Sequence, residues 1–169
     1  TLAAIARHQT PITRLISEPD NGIYDALNKG LHHARGDIIG LVHSDDFLAH
    51  DQVLARIAHA FADPAIDAVY GDLDYVAADD PDRIIRRWRA GPFSPAALRR
   101  GWMPPHPALF IRRRLVEAHG AYDTSYRIAA DYEASYMGLS ANGRMTIEPQ
   151  GDNQWKYTLK IANQVAQLT

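Results

Sequence analysis

Ile38-Ile39-Gly40-Leu41-Val42-His43-Ser44-Asp45-Asp46 is the stretch on which the reading of this chain turns. Five consecutive residues without a polar side chain suit a strand buried on both faces in the middle of a parallel sheet. The run then breaks into four polar residues, two of them adjacent carboxylates. Open α/β sheets gather their ligands just beyond the carboxyl ends of the strands, so Asp45 and Asp46 are placed where chemistry is expected. Hard divalent cations such as Mg²⁺ or Mn²⁺ are held by one or two carboxylates together with substrate phosphate oxygens, which suits such a pair. The structural alternative is equally open at this point: both Asp side chains cap the following helix and solvate a turn.

Upstream, Pro11 to Ser17 is a strand candidate with Ile12, Leu15 and Ile16 as its apolar members, and Asp20-Asn21-Gly22 is a turn. Ile23, Leu27, Leu31 and Ala34 then follow at helical spacing. Ala26 and Gly30 are small enough to let that helix lie close to a sheet, and Gly36 ends it. Glu18 to Gly30 crowds charge at a strand-to-helix junction. Lys29 either adds a point charge to an anion site or pairs with Asp25 at i, i+4. The first residues, from Leu2 to Ala6, read as helix, and with Thr1 in place of Met the chain reads as beginning inside a longer one.

Downstream, Val53, Leu54, Ile57, Ala58 and Phe61 mark a helix face, and Ile66 to Tyr70 is a strand ending in Gly71-Asp72-Leu73-Asp74. This alternation is the rhythm of an α/β domain on a mostly parallel sheet flanked by helices. The character then changes to α+β. Ala77 to Asp82 is a turn-rich loop, Ile84 to Arg89 a short basic strand, Pro92 to Gly101 a short helix, Leu109 to Ile111 a strand, and Arg113 to His119 a helix closed by Gly120. Ala130 to Asn142 carries Tyr132, Tyr136 and Leu139 at helical spacing. Asp131 at its start is either a first-turn carboxylate or a general base, with Glu133 as the alternative base.

Composition limits the partners. The 169 residues are 46% hydrophobic, with 18 Lys and Arg against 20 Asp and Glu for a net charge of −2, so no broad basic field invites nucleic acid. The absence of Cys excludes disulfides and thiolate metal sites and suits the cytoplasm. No apolar run approaches the roughly 20 residues that span a bilayer. Arg83, Arg86, Arg87 and Arg89 form either a solvated face or a contact with a phospholipid-linked acceptor or anionic membrane surface, peripheral in kind.

Three signals in this order resemble family 2 glycosyltransferases of the GT-A fold. SEPDNGIYDALNKGLHHARGDIIGLVHSDD (Ser17 to Asp46) is similar to that family's central segment, MPPHPALFIRR (Met103 to Arg113) to its acceptor-side strand, and AADYE (Ala129 to Glu133) to its catalytic-base motif. The resemblance runs over residues 1–149 and implies a partial catalytic domain whose first strands, those that bind the nucleotide base, precede Thr1. Residues 150–169 match nothing in the family. The resemblance further implies Asp46 as metal ligand of a DXD-like motif for Mn²⁺ or Mg²⁺, Asp45 at the ribose or diphosphate, Asp20 and Lys29 near the nucleotide, and Asp131 as base of an inverting displacement. His106, between prolines, is either an acceptor or phosphate contact or a packed loop residue. A nucleotide diphosphate sugar would be the donor, and a saccharide or lipid-linked hydroxyl the acceptor, in cell-surface polysaccharide or glycoconjugate synthesis. No Gln-x-x-Arg-Trp sequence occurs, which separates the chain from processive polysaccharide synthases. The competing expectations are an inactive fragment of such a domain and a nucleotide-sugar-forming nucleotidyltransferase.

Overall fold

The computed structural model describes residues 2–7, 12–98, 100–125 and 166–167. The helix expected over Ala130 to Asn142, with Asp131 and Glu133, lies outside the described residues. In chain order the elements are α1 (Leu2–Ile5), α2 (Ile23–His33), β1 (Ile38–Gly40), α3 (Val53–Ala60), β2 (Ala68–Tyr70), β3 (Leu73–Ala77), β4 (Asp80–Trp88), α4 (Pro95–Leu98), β5 (Leu109–Arg112), α5 (Arg113–His119) and β6 (Ala166–Gln167). A 3₁₀ turn, His106–Ala108, leads into β5.

The main sheet has the order β1-β5-β2-β6. β5 runs antiparallel to both β1 and β2, and β2 pairs in parallel with β6. The expected mostly parallel pairing is therefore corrected: β1 and β2 point the same way, but β5 stands between them. Its middle residue explains how it fits. Phe110 lies opposite Gly40 on one side and opposite Val69 on the other, and a Cβ on Gly40 would run into the Phe110 ring. Only glycine lets the aromatic ring close over β1 at this register.

The expected central strand is corrected as well. The run Ile38 to Val42 yields a three-residue strand that is outermost among the described residues of its sheet. Ile39 is buried, yet Val42 is 58% exposed. The strand enclosed on both faces is β2, where Ala68, Val69 and Tyr70 are wholly buried. Ile57, Phe61, Ile66, Val69 and Phe110 form the core, with Ile38, Val53 and Ala60 packed against it. Leu54 and Ala58, expected on the inner face of α3, are exposed, because the face set by Val53, Ile57 and Phe61 turns them outward.

Three further expectations change. Residues 12–20 run as exposed irregular chain instead of a strand; Ile12, Leu15 and Ile16 do not alternate at period two, so no single face could bury them. In α2 the half-buried face is Tyr24, Leu27, Asn28 and Leu31, whereas Ala26 and Gly30 face outward, and nothing lies within 4 Å of a Cβ added at Gly30. The helix ends as expected near Gly36, with the Ala34 N–H donating to the Gly30 and Leu31 carbonyls. The loop expected over Ala77 to Asp82 is mostly strand: β3 and β4 form an antiparallel hairpin whose register shifts on either side of Val76. Ladder pairing along β4 overrides the local turn preference of its Asp residues.

Two groups of contacts bind the second half to the first. Arg112 donates to the Ile66, Phe61 and Asp63 carbonyls and lies 5.2 Å from the Phe61 ring centre, while Arg114 pairs with the buried carboxylate of Asp67. At the base of the hairpin, Tyr70 Oη donates to the Gly91 carbonyl at 2.9 Å and Trp102 Nε1 to the Ala90 carbonyl at 2.7 Å. The Trp102 ring meets Tyr70 and Phe93 edge-on, and Arg89 bridges Asp72 and Asp74 at 3.3 and 3.2 Å. α5 closes at Gly120, whose φ of 90° favours a residue without a Cβ.

Candidate active site

Beyond Gly40 the chain continues through Leu41 and Val42 into a turn at Ser44-Asp45, where the Asp46 N–H donates to the His43 carbonyl at 3.1 Å. The His43 N–H in return reaches Asp46 Oδ2 at 3.4 Å, a weak bond at the outer limit of such geometry. Asp45 and Asp46 are both exposed, and neither is ion-paired among the described residues. Helix α3 begins only at Val53, with Gln52 at its N-cap, so these carboxylates do not cap it. The capping part of the structural alternative thus falls away, and the turn role of the side chains is confined to one long bond.

Among the described residues no group of three or more His, Asp or Glu side chains is arranged to hold a metal. Two exposed adjacent carboxylates without a full protein cage fit the way Mg²⁺ and similar ions are bound, with phosphate oxygens and water completing the shell.

Asp20 precedes α2, and Lys29, in the middle of the helix, reaches back toward its amino end. Asp20 Oδ1 accepts from the Gly22 N–H at 3.0 Å, and Asp25 Oδ2 accepts from the Asn21 N–H at 2.9 Å. Lys29 Nζ lies 3.1 Å from Glu18 and 3.4 Å from Asp25, and donates to the Pro19 carbonyl at 2.8 Å. The hydrogen bond to Glu18 raises the Lys29 pKa, and the Asn21 N–H is the first cause lowering that of Asp25. Both readings of Lys29 were open in the sequence; the ion pair is the one formed here, and it fastens residues 18 and 19 to the helix.

His106 opens the 3₁₀ turn behind the buried Pro104 and Pro105. Its Nε2 is 2.8 Å from Tyr122 Oη, and its ring centre is 6.2 Å from that of His43. Tyr122 is held to α2: its N–H donates to Asn28 Oδ1 at 2.9 Å, its carbonyl accepts from Asn28 Nδ2 at 2.8 Å, and its ring lies 5.6 Å from Tyr24. The contacts therefore run from the Asp46 turn through His43, His106 and Tyr122 to Asn28, one residue before Lys29.

His43, Asn28, Tyr24 and Tyr122 are the participants that reading the sequence for function missed. Asn28 and Tyr122 are 94 positions apart, and no local pattern connects them. Asp131 falls outside the described residues.

The basic segment is less basic than its arginines suggest. Five Asp, at 72, 74, 79, 80 and 82, outnumber Arg83, Arg86, Arg87 and Arg89 over the same stretch. Arg83 pairs with Asp79 at 2.6 Å, Arg86 lies over the Tyr75 ring, and Arg89 holds Asp72 and Asp74. Among the described residues no helix is long and apolar enough to cross a membrane.

Comparison with known proteins gives this geometry a family. The model of "Glycosyl transferase family 2" matches residues 1–127. The chain is similar to an uncharacterized glycosyltransferase of Mycobacterium tuberculosis strain H37Rv, 34% identical over 121 residues, 69% of this chain and 44% of the relative. It is also similar to a PGL/p-HBAD biosynthesis glycosyltransferase of Mycobacterium bovis strain BCG, 32% identical over 124 residues, 69% of this chain and 43% of the relative. The succinoglycan biosynthesis protein ExoO of Rhizobium meliloti strain 1021 is 31% identical over 172 residues, 88% of this chain and 46% of the relative. The chain thus spans less than half the length of these relatives. With the family match covering both the carboxylate turn and the His106 turn, the chain belongs to glycosyl transferase family 2 and, through it, to the α/β folds of the GT-A class.

Proposed function

We propose that this chain carries part of the catalytic apparatus for moving a sugar from a nucleotide diphosphate to a hydroxyl acceptor, with inversion at the anomeric carbon and without processive elongation. The observation that supports it most is the exposed Asp45-Asp46 pair beyond the carboxyl end of β1, released from helix capping. Asp46 would hold Mn²⁺ or Mg²⁺, and Asp45 would accept from ribose or lie beside the diphosphate. The cation would neutralise charge developing on the departing diphosphate. Asp131 is proposed as the base that takes the acceptor hydroxyl proton while the new glycosidic bond forms on the opposite face of the sugar from the leaving group. Asp20 and Lys29 would flank the nucleotide. Lys29 would do so as part of a neutralised cluster, because Glu18 and Asp25 already engage it.

The names of two relatives, one for PGL/p-HBAD and one for succinoglycan biosynthesis, support cell-surface glycoconjugate or polysaccharide synthesis as the setting. A saccharide or lipid-linked acceptor and work in the cytoplasm belong to the same proposal. The catalytic domain would extend over residues 1–149.

Calorimetric titration of a full-length version of the enzyme with nucleotide sugars in the presence of Mn²⁺ tests the metal assignment. Asp46→Ala should abolish Mn²⁺-dependent binding while the melting temperature stays within the small range expected for an exposed side chain. Unchanged binding by the variant would remove Asp46 from the site.

A further inference from the structure

Tyr122 belongs to neither the carboxylate turn nor the core, yet the fold engages it from three directions. Asn28 meets its backbone with a reciprocal pair of hydrogen bonds, 2.9 Å from the Tyr122 N–H and 2.8 Å to its carbonyl, as a neighbouring strand would. Tyr24, one turn earlier on the same face of α2, packs against its ring at 5.6 Å. Its hydroxyl is then directed at His106 Nε2, 2.8 Å away. A tyrosine serving only to fill space would need the ring contact but not a clamped backbone and a directed hydroxyl.

His106 is constrained from the other side as well. Buried Pro104 and Pro105 precede it and Pro107 follows it, so the backbone around the imidazole has little freedom. What the backbone does not determine is the rotation of the ring and the position of its proton. A hydrogen bond to one ring nitrogen determines which nitrogen carries the proton. A phenolic O–H is a better donor than a neutral imidazole N–H, and an unprotonated imidazole nitrogen is a better acceptor than a phenolic oxygen. That ranking favours a bond from Tyr122 Oη to Nε2, with the proton on Nδ1.

We propose that Tyr122 is a positioning residue that holds the His106 imidazole as the Nδ1–H tautomer, beside His43 and the Asp45-Asp46 turn, with Asn28 as the clamp that holds Tyr122. The site thereby joins three segments distant in the sequence: the middle of α2, the carboxylate turn after β1, and the turn before β5. Its importance for transfer rests on the proposed function, in which the neighbouring turn receives a metal-bound diphosphate.

The test is nitrogen-detected NMR of the imidazole rings in the full 169-residue chain, at a pH of about 8 where unperturbed histidines are neutral. Wild type should show His106 mainly as the Nδ1–H form. Tyr122→Phe, which keeps the ring against Tyr24 and the backbone bonds to Asn28, should move His106 toward the Nε2–H form and leave His59 on α3 unchanged. Asn28→Ala should shift His106 in the same direction. Asn28→Asp retains the acceptor for the Tyr122 N–H and should restore part of the wild-type signal. An Nε2–H form in wild type, or a His106 signal indifferent to Tyr122→Phe, would overturn the proposal.

A second arm separates this outcome from the fate of the functional reading. Mg²⁺ with inorganic pyrophosphate stands in for the diphosphate, and its titration should perturb the His43 and His106 signals. The apparent affinity should fall about 2- to 10-fold in Tyr122→Phe, the equivalent of one ordinary hydrogen bond. Equal affinity in the two proteins would overturn the positioning role. A tautomer change in Tyr122→Phe with no pyrophosphate response in either protein would uphold the positioning and count against the diphosphate site.

Discussion

β1 and β2 run in the same direction through one sheet and share β5 as a neighbour, yet they are built for different work. β2 is wholly buried, and its continuation enters the Asp72, Arg89 and Trp102 contacts that fasten the hairpin. β1 has one buried residue in three, and past Gly40 the chain emerges into a turn whose carboxylates are exposed. The more enclosed strand is the scaffold, and the less enclosed strand leads to the exposed carboxylates on which the proposed function rests. Groups that must meet a charged substrate need an accessible end, while strand position depends on burial elsewhere.

The largest test of this contrast is Phe110→Ala. Phe110 is 8% exposed and lies against both strands, so truncation should destabilise the chain by about 3–5 kcal/mol in urea unfolding. A much smaller loss would mean that β1 and β2 do not depend on a common core. Gly40→Ala should come next. Its Cβ would strike the Phe110 ring, and the overpacking should cost about 1–3 kcal/mol by the same measurement. If it proves neutral, the close approach of β5 to β1 is looser than the register implies. Smallest should be Val42→Ser, within about 0.5 kcal/mol, because this end of the apolar run is 58% exposed. A loss of several kcal/mol there would restore the view of Ile38 to Val42 as a fully enclosed strand.

The sequence was most legible where one local cue sufficed. Apolar spacing located α2 and α3, Gly120 marked the end of α5, and the switch from apolar to polar at His43 located the carboxylate turn. It was misleading where burial depends on distant residues. Ile38 to Val42 is wholly apolar while Ile66 to Tyr70 is interrupted by Asp67, yet it is the second that has cover on both faces. Cover is decided by Phe110 and by the insertion of β5, some 40 residues after β2. The hairpin was under-read for a related reason: Asp79, Asp80 and Asp82 signal a turn locally, but the ladder to β3 draws Asp80 and Asp82 into a strand. Within the candidate site the carboxylates and His106 were visible as residue types in telling places. The Asn28 clamp on Tyr122 was not, because both partners are ordinary surface residues until the fold joins them.

The placement of β5 also orders events in time. As the chain leaves the ribosome, β1 and β2 emerge first, and neither can acquire its shared partner until residue 112 has been made. At about 5–20 residues per second, the roughly 40 residues after β2 take some seconds, far longer than a helix needs to form. During that interval α2 and α3 can fold locally while the future sheet remains two unjoined segments. Arrival of Leu109 to Arg112 then couples both at once, so β1, β5 and β2 join in one late step, and β6 adds to the free side of β2 only after residue 167 has been made.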